Sequence, residues 1–190
     1  MLRDLILKNR SYRRFYQDFA VEKEVLRELI DLARLSASAS NKQPLKYIIS
    51  NEPETNQKIF SSLTWAGYLK DWDGPAEGER PSAYIIILGD QEISTNYLAD
   101  PGIACQSILL GATERGLGGC IFGSVKREEL RKALAIPERY EILYVLAIGK
   151  PKEEVKLETV GDDGDIRYWR DKKGTHHVPK RPLEEIILER

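Results

Sequence analysis

Cysteine, histidine and methionine are all scarce in this 190-residue chain, with two, two and one copies. Cys105 and Cys120 cannot make a disulfide framework, and such sparing use fits a reducing compartment, so a cytoplasmic location is expected. They are not spaced as a CxxC knuckle, and with His176 and His177 the only imidazoles a zinc site is not expected. Any Cys-His or Ser-His-Asp triad would need those same two histidines. They stand side by side in a stretch that reads as a loop, as a solvated pair, and a hydrolase is set aside. No run approaches the roughly 20 apolar residues that span a bilayer. The opening MLRDLILKNRSYRRF breaks its apolar stretch with Asp4 and Lys8, unlike a signal peptide. An excess of one charge is also lacking: 29 Lys and Arg face 30 Asp and Glu. That balance gives no field for a phosphate polymer, so neither nucleic acid nor membrane is an expected partner. There is no GxxxxGK[ST] motif, and Gly116-Leu-Gly118-Gly119 ends a helix instead of opening one after a strand, as a dinucleotide fingerprint requires. With so little acid–base machinery, the chemistry is expected to come from a cofactor that the protein holds.

The chain is long enough to bury one substantial core, and residues 1–190 are expected to form a single domain. Leu2, Leu5 and Ile6 recur at helical spacing. Residues 22–36 carry Val25, Leu26, Leu29, Ile30 and Ala33 on one stripe, with charges opposite. LKYIIS (Leu45–Ser50) and YIIILG (Tyr84–Gly89) predict strands, and Glu54–Leu63 a helix between them. Asp100 as cap and Pro101 at the first helical position predict a helix running to about Arg115 and stopping at Gly116. It is apolar on most sides and is expected to be central. Cys120–Val125 predicts a strand, Lys126–Leu134 a helix and Ile142–Gly149 a buried strand. From Pro151 to Gly174 the chain turns charged and Gly-rich, as a surface hairpin or loop would. The closing RPLEEIILER carries apolar residues that need another element or subunit to pack on. Four or five strands with five or six helices make an α+β protein.

Four constellations remain. NRSYRRF (Asn9–Phe15) gathers Arg10, Arg13, Arg14 and Ser11, which suits a phosphate or, equally, a solvated basic turn. SASASNKQP (Ser36–Pro44) offers small residues with the amides of Asn41 and Gln43, as a planar ligand or an ordinary polar loop would require. In GLGGCIFGSV (Gly116–Val125) the glycines let backbone pass something flat, or merely end a helix and bend a strand. KRPLEE (Lys180–Glu185) sets a cationic pair before an apolar tail.

Taken together and in this order, the four resemble the nitroreductase family of FMN-dependent oxidoreductases. That family carries an RRSxRxF-like start, a PSxxNxQP-like loop, a GLGxCxxG-like segment and a basic residue near a PLEE-like stretch. The resemblance implies an α+β nitroreductase-like fold with a central four- to five-stranded, mainly antiparallel sheet flanked by helices. It implies a homodimer with exchanged terminal segments and FMN at the dimer interface. It further implies hydride transfer by a ping-pong mechanism from NADH or NADPH through flavin N5 to a small-molecule electron acceptor such as a nitroaromatic or quinone. Another flavin reaction on the same fold (a dehydrogenase or reductive dehalogenase) and a non-enzymatic FMN-binding or sensing protein are the alternatives.

By the same resemblance Arg10, Ser11 and Arg13 meet the flavin phosphate and pyrimidine edge, with Arg13 near N1 and the C2 carbonyl, where reduction places negative charge. Ser38 and Asn41 match the loop that touches the ring or ribityl chain, Gly123 and Ser124 the backbone near N5, and Lys180 and Arg181 the C-terminal phosphate cations. No side chain is required as a catalytic acid or base, and no metal is implied. Asn9 and Ala37 depart from the family text, where Arg and Pro are usual. Trp65, Tyr68 and Trp72 cover the flavin face, select substrates or pack in the core.

Overall fold

The computed structural model describes residues 1–188, so the last two residues of the expected RPLEEIILER tail lie outside it. In chain order it contains α1 (Leu2–Lys8), β1 (Phe15–Tyr16), α2 (Lys23–Leu35), a 3-10 turn (Ala39–Asn41), β2 (Leu45–Ser50) and α3 (Pro53–Ser61). Next come β3 (Ala83–Asp90), α4 (Asp100–Glu114), β4 (Gly118–Phe122), α5 (Arg127–Leu134) and β5 (Tyr140–Pro151). A last stretch holds β6 (Val155–Thr159), β7 (Trp169–Arg170), β8 (His176–Lys180) and α6 (Leu183–Ile186). The fold is α+β, built on a five-stranded antiparallel sheet.

β5 is the hub of that sheet: it pairs with β3, which pairs with β2, and also with β4 and β1. Side chains alternate across a strand, and in β3 helices cover both faces. Ile85 and Ile87 pack with Leu26 and Leu29 of α2 and Ile108 and Ala112 of α4. Tyr84, Ile86 and Leu88 pack with Ile59 of α3 and Leu130 of α5 on the other face. An unbroken apolar run is therefore what this strand needs. α4 is buried at eight positions, as its composition predicts, and Gly116 takes the left-handed conformation (φ 68°) that ends it.

Three expectations require correction. β4 begins two residues earlier than expected, because Gly118 and Gly119 belong to the strand and do not merely bend it. A Cβ on Gly119 would stand 2.3 Å from the Ala147 carbonyl oxygen, and one on Gly118 2.5 Å from the Tyr12 ring. The flat object these glycines pass is thus their own chain. Asp100 does not cap α4; Ala99 holds that position, and the buried Asp100 carboxylate is used elsewhere. Residues 151–174, expected as a surface hairpin or loop, are loop over 161–168 and 171–174, but they also contribute two strands to a second sheet, with β6 parallel and β7 antiparallel to β8.

Arg14 ties the N-terminal segment to the loop that leads into β3. Its guanidinium grips Glu79 through two hydrogen bonds of 2.5 Å, and Lys152 adds a third contact at 3.0 Å. The Arg14 hydrogen bonds, with help from Lys152, pull the Glu79 carboxyl down to about 2. A depressed carboxyl stabilises the fold fully above its unfolded value and loses that contribution as pH falls toward its folded one. Glu79→Gln is expected to cost about 2 kcal/mol at pH 7. The difference from the wild type should shrink as pH is lowered from about 4.5 toward about 2. Urea midpoints at pH 7 and pH 3 check this; an equal gap at both would refute it.

Candidate functional site

The chain leaves α1 and immediately meets the strands it must join. Tyr12 N–H donates to the Gly119 carbonyl (3.0 Å), placing Ser11 beside Gly119 of β4, and Arg13 N–H donates to the Glu153 carboxylate. These bonds hold the NRSYRRF segment against the edge formed by β4 and β5. A cavity of about 270 Å³ opens there, lined by Asn9, Arg10, Ser11, Arg13, Tyr168, His176, Val178 and Lys180. Two sequence segments about 165 residues apart, the N-terminal arginines and strand β8, thus form opposing walls.

The electrostatics of this cavity are one-sided. Arg13 is 9% exposed. Its Nη1 donates to the Ser11 carbonyl (3.2 Å) and reaches His176 Nε2 (3.1 Å), and its guanidinium stacks over Tyr168 at 4.8 Å. All three neighbours are uncharged. The nearby Glu153 carboxylate, with a fully buried side chain, is engaged by Arg13 N–H and by Arg170 Nη2 at 2.9 Å. Arg10 Nη2 donates to the Ile6 carbonyl (2.6 Å), while its Nε is buried without a partner, and burial draws the Arg10 pKa down. Among the described residues no carboxylate pairs with the side chain of Arg10, Arg13 or Lys180. A site with several donors, two to three positive charges and no carboxylate paired with them is built for an anion with several oxygens.

His176 and His177 are not a solvated pair, which corrects the sequence expectation. They point to opposite sides of β8. His176 is fully buried beside Arg13, and burial first, then the charges of Arg13, Arg170 and His177, lower its pKa to about 4. His177 sits between Glu158 (2.7 Å) and Asp171 (3.3 Å), stacks on Trp169, and has its pKa raised chiefly by the Glu158 hydrogen bond.

The other expected residues lie apart from this cavity within one chain. Ser38 Oγ donates to Asp100 Oδ2 (2.6 Å) and Ala39 N–H to Asp100 Oδ1 (2.8 Å), so Asp100 pins the Ser36–Pro44 loop to the start of α4. Ser40, Asn41 and Gln43 are all held at φ between 51° and 53°, a costly conformation for residues with a Cβ. Ser38 lines a separate cavity of about 220 Å³ with Gln43, Tyr47 and Ile103. Gly119 packs on Leu109, and Leu109 lies nine helical steps beyond Asp100, so the loop and the arginine cavity stand about 14 Å apart along α4. The Gly123 carbonyl accepts from Arg127 Nη2 (3.2 Å) and that of Ser124 from Thr64 N–H (3.1 Å). A Cβ on Gly123 would meet only the Tyr144 ring, at 3.6 Å. Arg181 is half exposed and pairs with Glu185, away from the cavity that Lys180 lines.

The aromatic cluster divides. Trp65 is core, packed on Phe60, Trp72 and Phe122. Trp72 lies under Arg170 (4.7 Å), while Tyr68 leans on Tyr168 beside Arg13, with ring centroids 4.9 Å apart. Tyr168, His176, Glu153 and Arg170 were not expected at the site. No local motif marks them, because each gains its role from a partner far away in sequence.

Among the described residues no three His, Cys, Asp or Glu side chains cluster to hold a metal, and no helix is long and apolar enough to cross a membrane. The family profile described as Nitroreductase family matches residues 6–150. A putative NADH dehydrogenase/NAD(P)H nitroreductase of Archaeoglobus fulgidus is 30% identical over 158 residues, covering 79% of this chain and 85% of that one. An FMN-dependent nitroreductase of Clostridium difficile superposes with a TM-score of 0.65 at 26% identity, over 79% of this chain and 87% of its own. A nitroreductase family protein of Streptococcus pneumoniae, 19% identical, superposes with a TM-score of 0.72 over 100% of both chains, which speaks for the fold. With matched residues spanning α1 to β5, and the fold shared along the whole length, the chain belongs to the nitroreductase family.

Proposed function

We propose that this protein is an FMN-dependent oxidoreductase that takes hydride from NADH or NADPH and passes it to a small electron acceptor such as a nitroaromatic or quinone. The observation that carries the proposal is the cavity where Arg10, Ser11, Arg13 and Lys180 meet with no carboxylate among the described residues to neutralise them. Those residues fit two electron-rich parts of FMN, Arg10, Ser11 and Lys180 its phosphate and Arg13 its pyrimidine edge. A volume of about 270 Å³ is below the ~300–1,000 Å³ usual for a whole ligand of that size. The rest of the cofactor must lie outside it.

A homodimer supplies that space. Ser38, Asn41, Gly123, Ser124 and Arg181 remain proposed contacts, and a second copy can bring the pinned loop of one chain to the arginine cavity of the other. Leu2, Ile6 and Leu7 of α1 and Leu183, Ile186 and Ile187 of the tail are all exposed, as segments exchanged between subunits would be in a lone chain. The free, buried Cys105 and Cys120 suit the proposed cytoplasmic setting.

FMN, when bound, supplies reversible hydride transfer at its N5 atom. The chain's own residues have simpler tasks. Arg10, Ser11 and Lys180 bind the phosphate, and Arg13 sets a fixed positive charge toward the N1–C2 carbonyl edge. The strained Ser36–Pro44 loop and the open backbone at Gly123 position the ring. No side chain is needed as a general acid or base.

The test is a visible spectrum of the purified protein, repeated without air after NADH and then NADPH. A flavin spectrum bleached by either supports the proposal and identifies the donor. Bound flavin that neither nucleotide bleaches would leave a binding protein, and no flavin even after added FMN would refute the site.

A further inference from the structure

His176 is a buried imidazole in a cavity of cations, a position that needs a reason. A guanidinium has five donors and no acceptor. His176 Nε2, 3.1 Å from Arg13 Nη1, therefore presents its lone pair, and the ring proton resides on Nδ1. Arg13 thus selects the tautomer. The charges near the ring oppose a second proton: Arg13 from the N-terminal segment and Arg170 from β7, with His177 acting from the opposite side of β8; the Tyr168 ring is 5.1 Å away. The nearby carboxylate, Glu153, is already engaged by Arg13 N–H and Arg170.

The choice of acceptor matters to the ligand. A carboxylate in place of His176 would hold Arg13 firmly but cancel its charge. A neutral acceptor fixes the direction of the guanidinium and leaves the charge to act on whatever enters the cavity. The Ser11 carbonyl and the Tyr168 face act in the same sense, being oriented but uncharged.

We propose that His176 is a positioning residue of the flavin site: held as its Nδ1–H tautomer by Arg13, it aims the Arg13 guanidinium into the cavity while leaving its positive charge uncompensated. The proposal rests on the cavity being the FMN site, and two measurements separate the two ideas. The first needs no flavin. Nitrogen-15 NMR of the histidine side chains in the flavin-free protein should show His176 neutral, with its proton on Nδ1, unchanged between pH 5.5 and 8. Arg13→Gln should release that single tautomer. Titration of His176 near pH 6.5, or a proton on Nε2, overturns the proposal.

The second measurement is FMN affinity, read from quenching of flavin fluorescence at pH 7. His176→Phe keeps the ring and loses the acceptor, and its Kd is expected to rise about tenfold. His176→Gln restores an acceptor near the Nε2 position and should stay within about threefold of the wild type. Equal affinity in the Phe variant, or equal loss in both, overturns the positioning role. If the Phe variant does not fold by circular dichroism, the Gln variant and the NMR result decide. A wild-type protein that binds no FMN refutes the function proposed above, while the tautomer experiment still stands or falls by itself.

Discussion

Arg13→Gln is expected to weaken FMN binding about 30- to 150-fold, the largest loss from any single side chain of the cavity. The magnitude reflects the interaction removed. A hydrogen bond to a charged group contributes about 1.5–3 kcal/mol, and truncating a buried charged partner costs about 2–5. A loss of about 2–3 kcal/mol corresponds to that range in Kd. Arg13 is buried, its neighbours are neutral, and solvent screens it little. The neighbouring Arg14→Gln makes the same change of charge one residue on, but Arg14 is committed to Glu79. It should leave FMN affinity within about threefold while lowering stability. Fluorescence titration of both variants checks the contrast, and equal effects would show that net charge, not the placement of Arg13, governs binding. Slower anaerobic bleaching of the Arg13 variant at saturating FMN would add the N1–C2 carbonyl role to the binding role.

The second large effect concerns stability. Glu153 has a fully buried side chain and accepts from both Arg13 N–H and Arg170. Glu153→Leu leaves a backbone N–H and a largely buried guanidinium without their partner, and Arg170 Nε already has none. Breaking such a pair costs about 3–5 kcal/mol. At roughly 2–4 °C per kcal/mol for a chain of this size, the melting temperature should fall by about 10 °C. The double variant Glu153→Leu/Arg170→Leu should recover much of that loss, because an apolar pair requires no desolvated charge. Scanning calorimetry on the three proteins is sufficient. A single variant within about 2 °C of the wild type would show that the carboxylate is not holding the small sheet to the main one.

Legibility in the sequence tracks the range of the interactions. β3 and β5 are apolar at successive positions because both faces are covered, and α4 is apolar all round for the same reason, so each could be read from a few neighbouring letters. The cationic wall of the cavity was legible too, since Arg10, Ser11 and Arg13 sit within one short segment. Asp100 was misjudged because a cap and a long-range pin look alike until Ser38 and Ala39 are seen at the carboxylate. Gly118 and Gly119 shifted a strand boundary, as glycine does when its absent Cβ answers to Ala147 and Tyr12 across space. The histidine pair was the largest miss. Two adjacent polar residues in a charged stretch carry no local mark of being buried, and the parallel pairing of β6 with β8 that buries one of them is itself non-local.

The contact between Arg13 and His176 joins residues 163 positions apart. During synthesis at roughly 5–20 residues per second, that separation is about 8–30 s of translation. Arg10, Ser11 and Arg13 are therefore made early and wait for their opposing wall, and everything the family profile covers, residues 6–150, is finished before Tyr168, His176 and Lys180 exist. A chain arrested before β8 can complete the five-stranded sheet but not the anion site. On the function proposed above, cofactor loading must then wait until the last strand has been made.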